Sequence, residues 1–338
     1  MALIPQRWLV VGPAWVGDMV MAQSLFKALK ERFPDMLIDV LAPAWSKPLL
    51  AAMPEVRAAI ELPVQHGQLA LLTRYRIARE LRANAYDWAI VLPRSLKAAL
   101  VPYWAKIPVR TGYKGEMRYK FLTDIRSLNK SVLTMTVQRF VALGISRNAP
   151  LPPAITPPHL QVTAEQRQQV AAKFLPTGHQ ALLALCPGAE YGEAKRWPAL
   201  HYAEVAKYWI AKGGQVILLG SSKDLAVTAP IAAMVNSPAC RDLAGKTNLL
   251  EVMVLLSLAE QVVSNDSGLM HVAAAVDTPV IAVYGSSDPN YTPPLSTSSE
   301  IIYLDLECSP CFKRECPLGH LNCLNKISPE QVMIRLPR

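Results

Sequence analysis

The chain has 338 residues, 51% of them apolar and 18% charged, a composition that excludes a disordered, collagen-like or coiled-coil protein and predicts about two domains. Its net charge of +9 comes from the first half, because residues 1–155 carry 21 Lys and Arg against 10 Asp and Glu, whereas residues 156–338 carry 14 against 16. A one-sided positive surface either attracts polyanions, such as nucleic acid, anionic lipid or an acidic substrate, or merely keeps the domain in solution.

The first half of the chain alternates strand and helix patterns. Three short apolar runs predict strands, at residues 8–12, 37–42 and 88–92. The first run is too short for a signal peptide or a membrane span. Apolar residues at helical spacing occupy residues 22–33, and a basic helical pattern occupies residues 69–81. This alternation predicts a parallel sheet with helices on both faces.

A proline-rich segment, residues 148–164, divides the chain. It has five prolines and no charged residue, so we expect a stiff linker between a domain over residues 1–155 and a domain over residues 165–338. A second α/β series follows, with predicted elements at residues 182–186, 199–212, 215–220, 261–264, 271–276 and 280–284. Two Rossmann-like domains are therefore predicted, with a ligand site in the cleft between them, at the carboxyl ends of the strands.

The loop after the first predicted strand is GPAWVGD, at residues 12–18. It contains neither the GxGxxG fingerprint of dinucleotide-binding enzymes nor a Walker A motif. It does place a carboxylate, Asp18, where a helix begins. Asp18 either caps this helix or acts as a catalytic base, and its position favours neither role.

Two loops of the second half suit an anionic ligand. The segment CPGAEYGEAKRWP, at residues 186–198, carries Lys195 beside a second basic residue, either as an anion clamp or as a solvated pair. The segment SNDSGLMHVAAA, at residues 264–275, begins a helix whose free N–H groups form an anion cradle, and Ser267 and Gly268 permit close approach.

Asp266 and His271 of the same segment have side chains that can bind sugar hydroxyls, although a helix cap and a core histidine explain them about as well. Gly-Ser-Ser turns at residues 219–224 and 284–289, and a loop at residues 242–247, add further strand-end positions for phosphate or ribose. Together these loops favour a nucleotide site more than any one of them does.

Four cysteines lie close together near the carboxyl terminus: Cys308, Cys311, Cys316 and Cys323. They suit a zinc ion, an iron–sulfur cluster, disulfides or reduced thiols. Their spacing lacks the usual pair of C-x-x-C motifs, so a metal is not favoured and would be structural. The cysteines of the whole chain are too few and too uneven for a secreted scaffold, which indicates a cytosolic protein.

Four segments of the chain, taken together, resemble the lipopolysaccharide heptosyltransferase family, glycosyltransferase family 9. They are GPAWVGD, RTGYKGEMRY at residues 110–119, PGAEYGEAKRWP and NDSGLMHVAAA. The resemblance runs in order over about the whole chain. GPAWVGDMV and RTGYKGEMRY are most similar to the heptosyltransferase II branch, with heptosyltransferase I or another core heptosyltransferase as the alternative.

The resemblance implies an α/β GT-B fold, two Rossmann-like domains facing across a cleft. It implies inverting transfer of L-glycero-D-manno-heptose from ADP-heptose to a heptose of the lipopolysaccharide inner core, with no metal cofactor. The absence of a DxD triplet from the sequence agrees with metal independence. The acceptor would be a lipid A–Kdo–heptose glycan, so we expect a cytoplasmic protein at the inner face of the bacterial inner membrane.

The resemblance also assigns roles to residues. Asp18 matches the catalytic base of the family. Donor-binding roles fall to Lys195, Asp266, Ser267, Gly268, Leu269 and His271. The basic excess of the first domain suits a polyanionic acceptor, with these candidates: Lys97, Arg110, Lys114, Arg118 and Lys120. Arg110 has a structural alternative, an ion pair with Glu116 or Asp124.

Two other functional classes explain the sequence less well. A NAD-dependent dehydrogenase would need GxGxxG and a downstream acidic residue, and both are missing at the first strand. A nucleic-acid-binding protein would explain the basic half, but basic residues interleaved with stacking aromatics are not evident, so no nucleic-acid partner is expected.

Overall fold

The computed structural model describes residues 7–64, 67–175 and 180–337. Its contacts divide the chain into two units, Met1–His159 and Leu160–Arg338. The division falls inside the proline-rich segment. Each unit contains one six-stranded sheet, and most consecutive strands are connected through helices, whereas the last two strands of the second unit are joined by a loop.

The sheet of the first unit is parallel, with the strand order β3-β2-β1-β4-β5-β6. Its strands are β1 (Arg7–Val11), β2 (Leu37–Ala42), β3 (Val56–Glu61), β4 (Trp88–Val91), β5 (Val109–Tyr113) and β6 (Asp124–Arg126). Its helices are α1 (Val16–Arg32), α2 (Lys47–Ala51), α3 (Leu71–Leu81), α4 (Leu96–Trp104) and α5 (Thr136–Gly144).

The sheet of the second unit is also parallel, with the order β12-β11-β10-β7-β8-β9. Its strands are β7 (Leu182–Cys186), β8 (Gln215–Leu218), β9 (Cys240–Asp242), β10 (Gln261–Asn265), β11 (Val280–Val283) and β12 (Ser299–Ile302). Its helices are α6 (Ala164–Phe174), α7 (Ala199–Ala211), α8 (Leu225–Val235), α9 (Leu249–Leu258), α10 (Gly268–Ala275), α11 (Asn322–Asn325) and α12 (Pro329–Met333).

Continuous apolar runs form the central strands. All five residues of β7, LLALC, are buried, and so are four of the five in β1. A strand that is covered by helices on both faces can be apolar at every position, which is why such runs do not alternate with polar residues. Edge strands such as β3, with the sequence VRAAIE, are only partly buried. The prediction of two parallel α/β domains is confirmed.

Helix α1 begins six residues before the apolar pattern that predicted it. It starts at Val16, has Asp18 in its first turn and carries two basic residues in its last turn, where they favour the negative end of the helix dipole. Its N-cap position is Trp15, whose side chain makes no capping hydrogen bond. Asp18 is therefore a residue of the helix itself and does not occupy the cap position.

The proline-rich segment is bound to the first unit along α1. The Gln23 side chain donates to the His159 carbonyl at 2.8 Å and accepts from the His159 N–H at 2.8 Å. Lys27 donates to the Pro157 carbonyl at 2.8 Å. The next residue, Leu160, donates its N–H to the Ala275 carbonyl of the second unit's α10 at 2.7 Å. Residues up to His159 are thus held by the first unit, and Leu160 is held by the second.

Candidate active site

Both sheets have the same topology, and it determines where polar loops collect. In each sheet the first strand of the unit, β1 or β7, lies beside the fourth, β4 or β10, and the chain leaves these two strands toward opposite sides. Ligands of open α/β sheets bind at this switch point, outside the carboxyl ends of the strands. Asp18 follows β1, Lys195 follows β7 and Asp266 follows β10.

The carboxylate of Asp266 is the centre of the polar cluster in the second unit. Lys195 Nζ donates to Asp266 Oδ2 at 2.5 Å, and the Ser287 hydroxyl donates to the same oxygen at 2.5 Å. Asp266 and Ser287 are buried, whereas the Lys195 side chain is 18% exposed. The buried carboxylate of Asp266 therefore holds a cation, Lys195, that remains partly accessible to solvent.

Asn265, the last residue of β10, attaches the Lys195 loop to the sheet. Its side-chain oxygen accepts from the Trp197 N–H and from the Tyr202 hydroxyl, both at 3.0 Å, and its amide donates to the Pro187 carbonyl at 2.6 Å. All three partners belong to the chain that follows β7. This buried amide explains why a loop of thirteen residues in the sequence, CPGAEYGEAKRWP, has a defined conformation.

A carboxyl-terminal segment, residues 305–316, supports the same loop from another side. The Tyr191 hydroxyl donates to the Phe312 carbonyl at 2.7 Å, and the Ala194 N–H donates to the Arg314 carbonyl at 3.0 Å. The Lys195 ammonium lies 5.1 Å from the centre of the Tyr191 ring, and the Arg314 guanidinium lies 5.4 Å from it. Both cations are attracted by this ring, which therefore helps to orient Lys195.

Helix α10 begins at Gly268, two residues after Asp266. Ser267 is its N-cap residue and makes no side-chain capping bond to the first turn, which starts with Gly268 and Leu269. A first helical turn with free N–H groups is a suitable site for phosphate. Asp266 does not cap the helix, since its carboxylate binds Lys195 and Ser287 instead.

His271 lies one turn into α10 and is buried. Burial lowers the pKa of its imidazole to about 4, while the Asp266 carboxylate raises it and the Lys195 ammonium lowers it by smaller amounts. The ring is therefore neutral near pH 7, with one nitrogen as a donor and the other as an acceptor. A neutral imidazole beside Lys195 and Asp266 can bind a hydroxyl group in either sense.

The first unit contributes a pocket of about 440 Å³ at the carboxyl ends of β4, β5 and β6. Its basic lining residues are Arg94, Lys114 and Lys130. Tyr119 forms another part of the wall, and the Lys114 ammonium lies 5.8 Å from the centre of its ring. Three cations against one carboxylate, Glu116, leave the depression with an excess of positive charge, which suits a ligand with phosphate or carboxylate groups.

Of the five basic residues predicted to bind an acceptor, only Lys114 lines this pocket. Lys97 lies in the first turn of α4, and Lys120 is exposed at the end of the short helical turn Arg118–Lys120. The pocket residues Arg94 and Lys130 were not among the predicted residues. Each follows a strand, β4 or β6, and that position is a signal that would have found them.

Arg118, which is among the residues predicted to bind the acceptor, is placed in a buried position. It is 1% exposed, and its guanidinium donates to the carbonyls of Tyr113 and Pro93, both at 2.6 Å, and of Ser95 at 3.3 Å. Burial, and secondarily the nearby Arg94 guanidinium, lower the pKa of Arg118 to about 10. A side chain so enclosed by carbonyl groups holds together the loops that follow β4 and β5.

Arg110 also binds main-chain carbonyls. Its guanidinium donates to Phe121 at 2.7 Å and to Ile107, and it lies over the ring of Tyr103. The alternative ion pair with Glu116 or Asp124 is not what holds it in place. Because Arg110 is the second residue of β5, it lies at the opposite end of that strand from the pocket.

The four cysteines near the carboxyl terminus are free thiols. Burial and the neighbouring thiols Cys308, Cys311 and Cys316 raise the pKa of Cys323, so the four lie in one locality. Within residues 7–64, 67–175 and 180–337, no group of three or more His, Cys, Asp or Glu side chains has an arrangement that could hold a metal ion.

Residues 74–322 match the model of glycosyltransferase family 9 (heptosyltransferase). The lipopolysaccharide heptosyltransferase 2 of Salmonella typhimurium is 46% identical over 336 residues, which is 97% of each chain. The solved structure of the E. coli ADP-heptose LPS heptosyltransferase II is similar with a TM-score of 0.87 at 41% identity, covering 97% of each chain.

The structure of E. coli heptosyltransferase WaaC with ADP has a TM-score of 0.70 at 19% identity, covering 96% of this chain and 97% of its own, and shows a shared fold. The fold class expected from the sequence, GT-B with two Rossmann-like domains, is confirmed by the heptosyltransferase II match. Together with the family match and the identity to the Salmonella enzyme, these findings show that the chain belongs to glycosyltransferase family 9, the heptosyltransferases.

Proposed function

We propose that this chain is a heptosyltransferase II, which transfers heptose from ADP-heptose to a heptose of the lipopolysaccharide inner core. The observation that carries the proposal is the Lys195–Asp266–Ser287 cluster at the start of α10. It lies in a chain that is 46% identical to a lipopolysaccharide heptosyltransferase 2 over nearly its whole length.

The second unit is proposed to bind the donor. The diphosphate of ADP-heptose would lie at the first turn of α10, where the N–H groups of Gly268 and Leu269 and the Lys195 ammonium can neutralise it. The buried groups of Asp266 and His271 would bind hydroxyls of the donor. A solved heptosyltransferase of the same fold contains ADP, which supports a nucleotide at this kind of site.

The proposed reaction inverts the anomeric centre. An acceptor hydroxyl oxygen attacks the anomeric carbon of the heptose, and the bond from that carbon to the diphosphate oxygen breaks as ADP leaves. Asp18 takes the proton of the attacking hydroxyl. The negative charge that develops on the leaving diphosphate is stabilised by Lys195 and by the helix N–H groups, which need no reorganisation. No step requires a metal ion.

The first unit is proposed to bind the acceptor, a lipid A–Kdo–heptose glycan that carries phosphates and carboxylates. The pocket lined by Arg94, Lys114 and Lys130 supports this assignment. A lipid-anchored acceptor also implies that the protein works in the cytoplasm at the inner face of the inner membrane. Among the described helices, none combines the length and the apolar character needed to cross a bilayer.

Mass spectrometry of reaction products tests the proposal. The protein is mixed with ADP-heptose and, separately, with acceptors that carry no heptose or one heptose beyond Kdo. We expect a mass gain of one heptose only on the acceptor that already has one. Gain on the heptose-free acceptor would identify a heptosyltransferase I, and no gain on either would contradict the proposal.

Lys195→Ala provides the matched test of the donor site. Its ammonium is the cation of the cluster and is partly accessible to solvent, so we expect weaker ADP binding in calorimetry and slower transfer. Lys173→Ala is the control, because Lys173 is an exposed lysine of the same unit whose ion pair with Glu251, at 2.6 Å, lies outside the cluster and its loops. Equal ADP affinity in both variants would contradict the donor assignment.

A further inference from the structure

An exposed apolar rim lies at the carboxyl edge of the first unit's sheet. It consists of Leu69, Leu71, Leu72, Met117 and Tyr119. Leu72 is 86% exposed and Met117 is 82% exposed. Exposed apolar side chains that are grouped in one patch, unlike single ones, mark interaction surfaces. Leu71 and Leu72 open α3, and helices that return from parallel strands begin at the carboxyl edge of the sheet.

Buried hydrogen bonds hold the two parts of this rim to the same element, the start of α4. Arg74 donates to the Leu69 carbonyl at 2.7 Å and to the Lys97 carbonyl at 3.3 Å. The Glu116 carboxylate accepts from the Leu96 N–H at 2.7 Å. The segment with the leucines and the segment with Met117 are thus both hydrogen-bonded to the start of α4, so their relative positions are fixed.

Positive charge surrounds the rim. Arg76 and Arg79 are exposed on α3 and continue the outward face that begins with Leu72. Further basic residues next to the rim are Arg94, Lys97, Lys114 and Lys120, and together the cations outnumber the exposed acidic residues there, Glu80 and Glu116. The surface therefore combines apolar side chains that protrude from the protein with cations close behind them.

We propose that this rim docks the enzyme on a bilayer with anionic head groups. Leucine and methionine side chains enter the boundary between head groups and acyl chains, tyrosine is favoured at that depth, and the cations bind the negative surface. A protein partner or a second copy of the chain would explain the exposed leucines but not the ring of cations. The acceptor pocket shares Lys114 and Tyr119 with this surface, so docking would bring the pocket toward a lipid-anchored acceptor. The inference rests on the proposed function in this respect only.

Vesicle flotation with the full chain tests the docking surface without any sugar substrate. The vesicles contain phosphatidylcholine with or without phosphatidylglycerol. We expect binding to the anionic vesicles alone, and the double variant Leu71→Ser, Leu72→Ser should lower the bound-to-free ratio by at least about tenfold, because two leucines no longer enter the apolar layer. Serine is well tolerated in a first helical turn, so the fold should persist.

Ile334→Ser is the control, because Ile334 is 77% exposed in the second unit and lies outside the rim. Unchanged vesicle binding in the leucine double variant, or an equal loss in the Ile334 variant, would overturn the proposal. If the double variant loses binding and its circular dichroism spectrum also changes, the single variant Leu72→Ser decides the matter. Leu72 is almost fully exposed, so this substitution should preserve the fold and still weaken vesicle binding.

Activity separates this inference from the proposed function. The leucine double variant should transfer heptose to a lipid-free core oligosaccharide at the wild-type rate, and it should lose activity only toward acceptor embedded in vesicles. Failure of the wild type to modify either acceptor would contradict the proposed function and leave vesicle binding as a separate result. Equal rates of both proteins on the embedded acceptor would overturn docking through this rim.

Discussion

Asp18 can be replaced without removing a helix cap, because the N-cap of α1 is Trp15. Asp18→Asn retains the size and polarity of the side chain but cannot accept a proton. If Asp18 is the general base, kcat falls by about 10²–10⁴ while the melting temperature changes little. Steady-state kinetics and a thermal melt measure both quantities. An unchanged kcat would show that another group accepts the proton.

Substitution of two basic residues of one loop should affect different properties, stability for Arg118 and acceptor binding for Lys114. Arg118→Met leaves the carbonyls of Pro93 and Tyr113 unpaired in a buried site, so the free energy of unfolding should fall by about 3 kcal/mol. Lys114→Ala should change that free energy by less than about 0.5 kcal/mol and should raise the acceptor KM. Urea unfolding and kinetics on both variants check this. A stable Arg118 variant would contradict its structural role.

His271 should make the stability of the second unit depend on pH. Its folded pKa of about 4 lies below the ordinary value of 6.5, so the unfolded chain binds the proton more tightly. The free energy of unfolding is therefore unaffected by His271 above about pH 6.5, and it falls by up to about 3 kcal/mol as the pH drops toward 4. Urea unfolding at several pH values should show a weaker acid dependence in His271→Gln. Parallel curves would contradict a buried, neutral imidazole.

Two residues of the cluster that is proposed to bind the donor were predictable from sequence as a pair, because each follows a buried strand. Lys195 and Asp266 come after β7 and β10, which are neighbours in the sheet, so their loops meet. The environment of a basic residue was not predictable in the same way. Arg118 is buried because the carbonyls of three separate segments surround it, and a contact of this kind leaves no local pattern.

At the scale of elements, the Lys195 loop depends on one glycine. Gly192 has φ of +156°, and a Cβ there would lie 2.3 Å from the Arg314 carbonyl oxygen. Gly192→Ala should therefore move the loop away from residues 305–316 and raise the donor KM by about tenfold, with a smaller effect on the acceptor KM. Kinetics with each substrate varied in turn measure this.

Gly213→Ala is the control for that experiment. Gly213 also has positive φ, +87°, but no atom lies within 4 Å of its Cβ position. An alanine at either position would be strained by the positive φ, but only at Gly192 would its Cβ collide with other backbone atoms. Equal donor KM values in the two variants would show that the contact with Arg314 does not position Lys195.

Elements were predictable where their strands are buried on both faces. The bounds of β2 and β7 agree with the apolar runs, residues 37–42 and 182–186. The edge strands β3, β6, β9 and β12 and the inner strand β5 were not predicted, since sequences such as CRD, DIR and VRTGY lack an apolar run. Edge strands are half exposed and are selected by pairing with a neighbour, which a local pattern does not record.

At the scale of the whole molecule, net charge distinguishes the unit that is proposed to bind the acceptor from the unit that is proposed to bind the donor. The positive excess belongs to residues 1–155, and exposed charges are screened over about 8 Å at physiological ionic strength. Raising the salt concentration should therefore increase the acceptor KM more than the donor KM, since the donor cluster is mostly buried. Kinetics across a salt series test this, and an equal rise of both constants would contradict separate binding units.

The two-domain organisation was predictable because the change of charge and the proline-rich segment coincide. Both fall near the observed division between His159 and Leu160. The support that residues 305–316 give to the Lys195 loop was not predictable, because the segments are more than a hundred residues apart and carry no common motif.

That support has a consequence for how such enzymes can diverge and be recombined. The Lys195 loop and residues 305–316 meet through main-chain bonds and through Gly192, which fits against the backbone of Arg314. Substitutions that reshape one segment therefore restrict what the other can accept, and the two should change together among relatives. A chimera that exchanges donor specificity must take both segments from the same parent, since either one alone would face a foreign backbone.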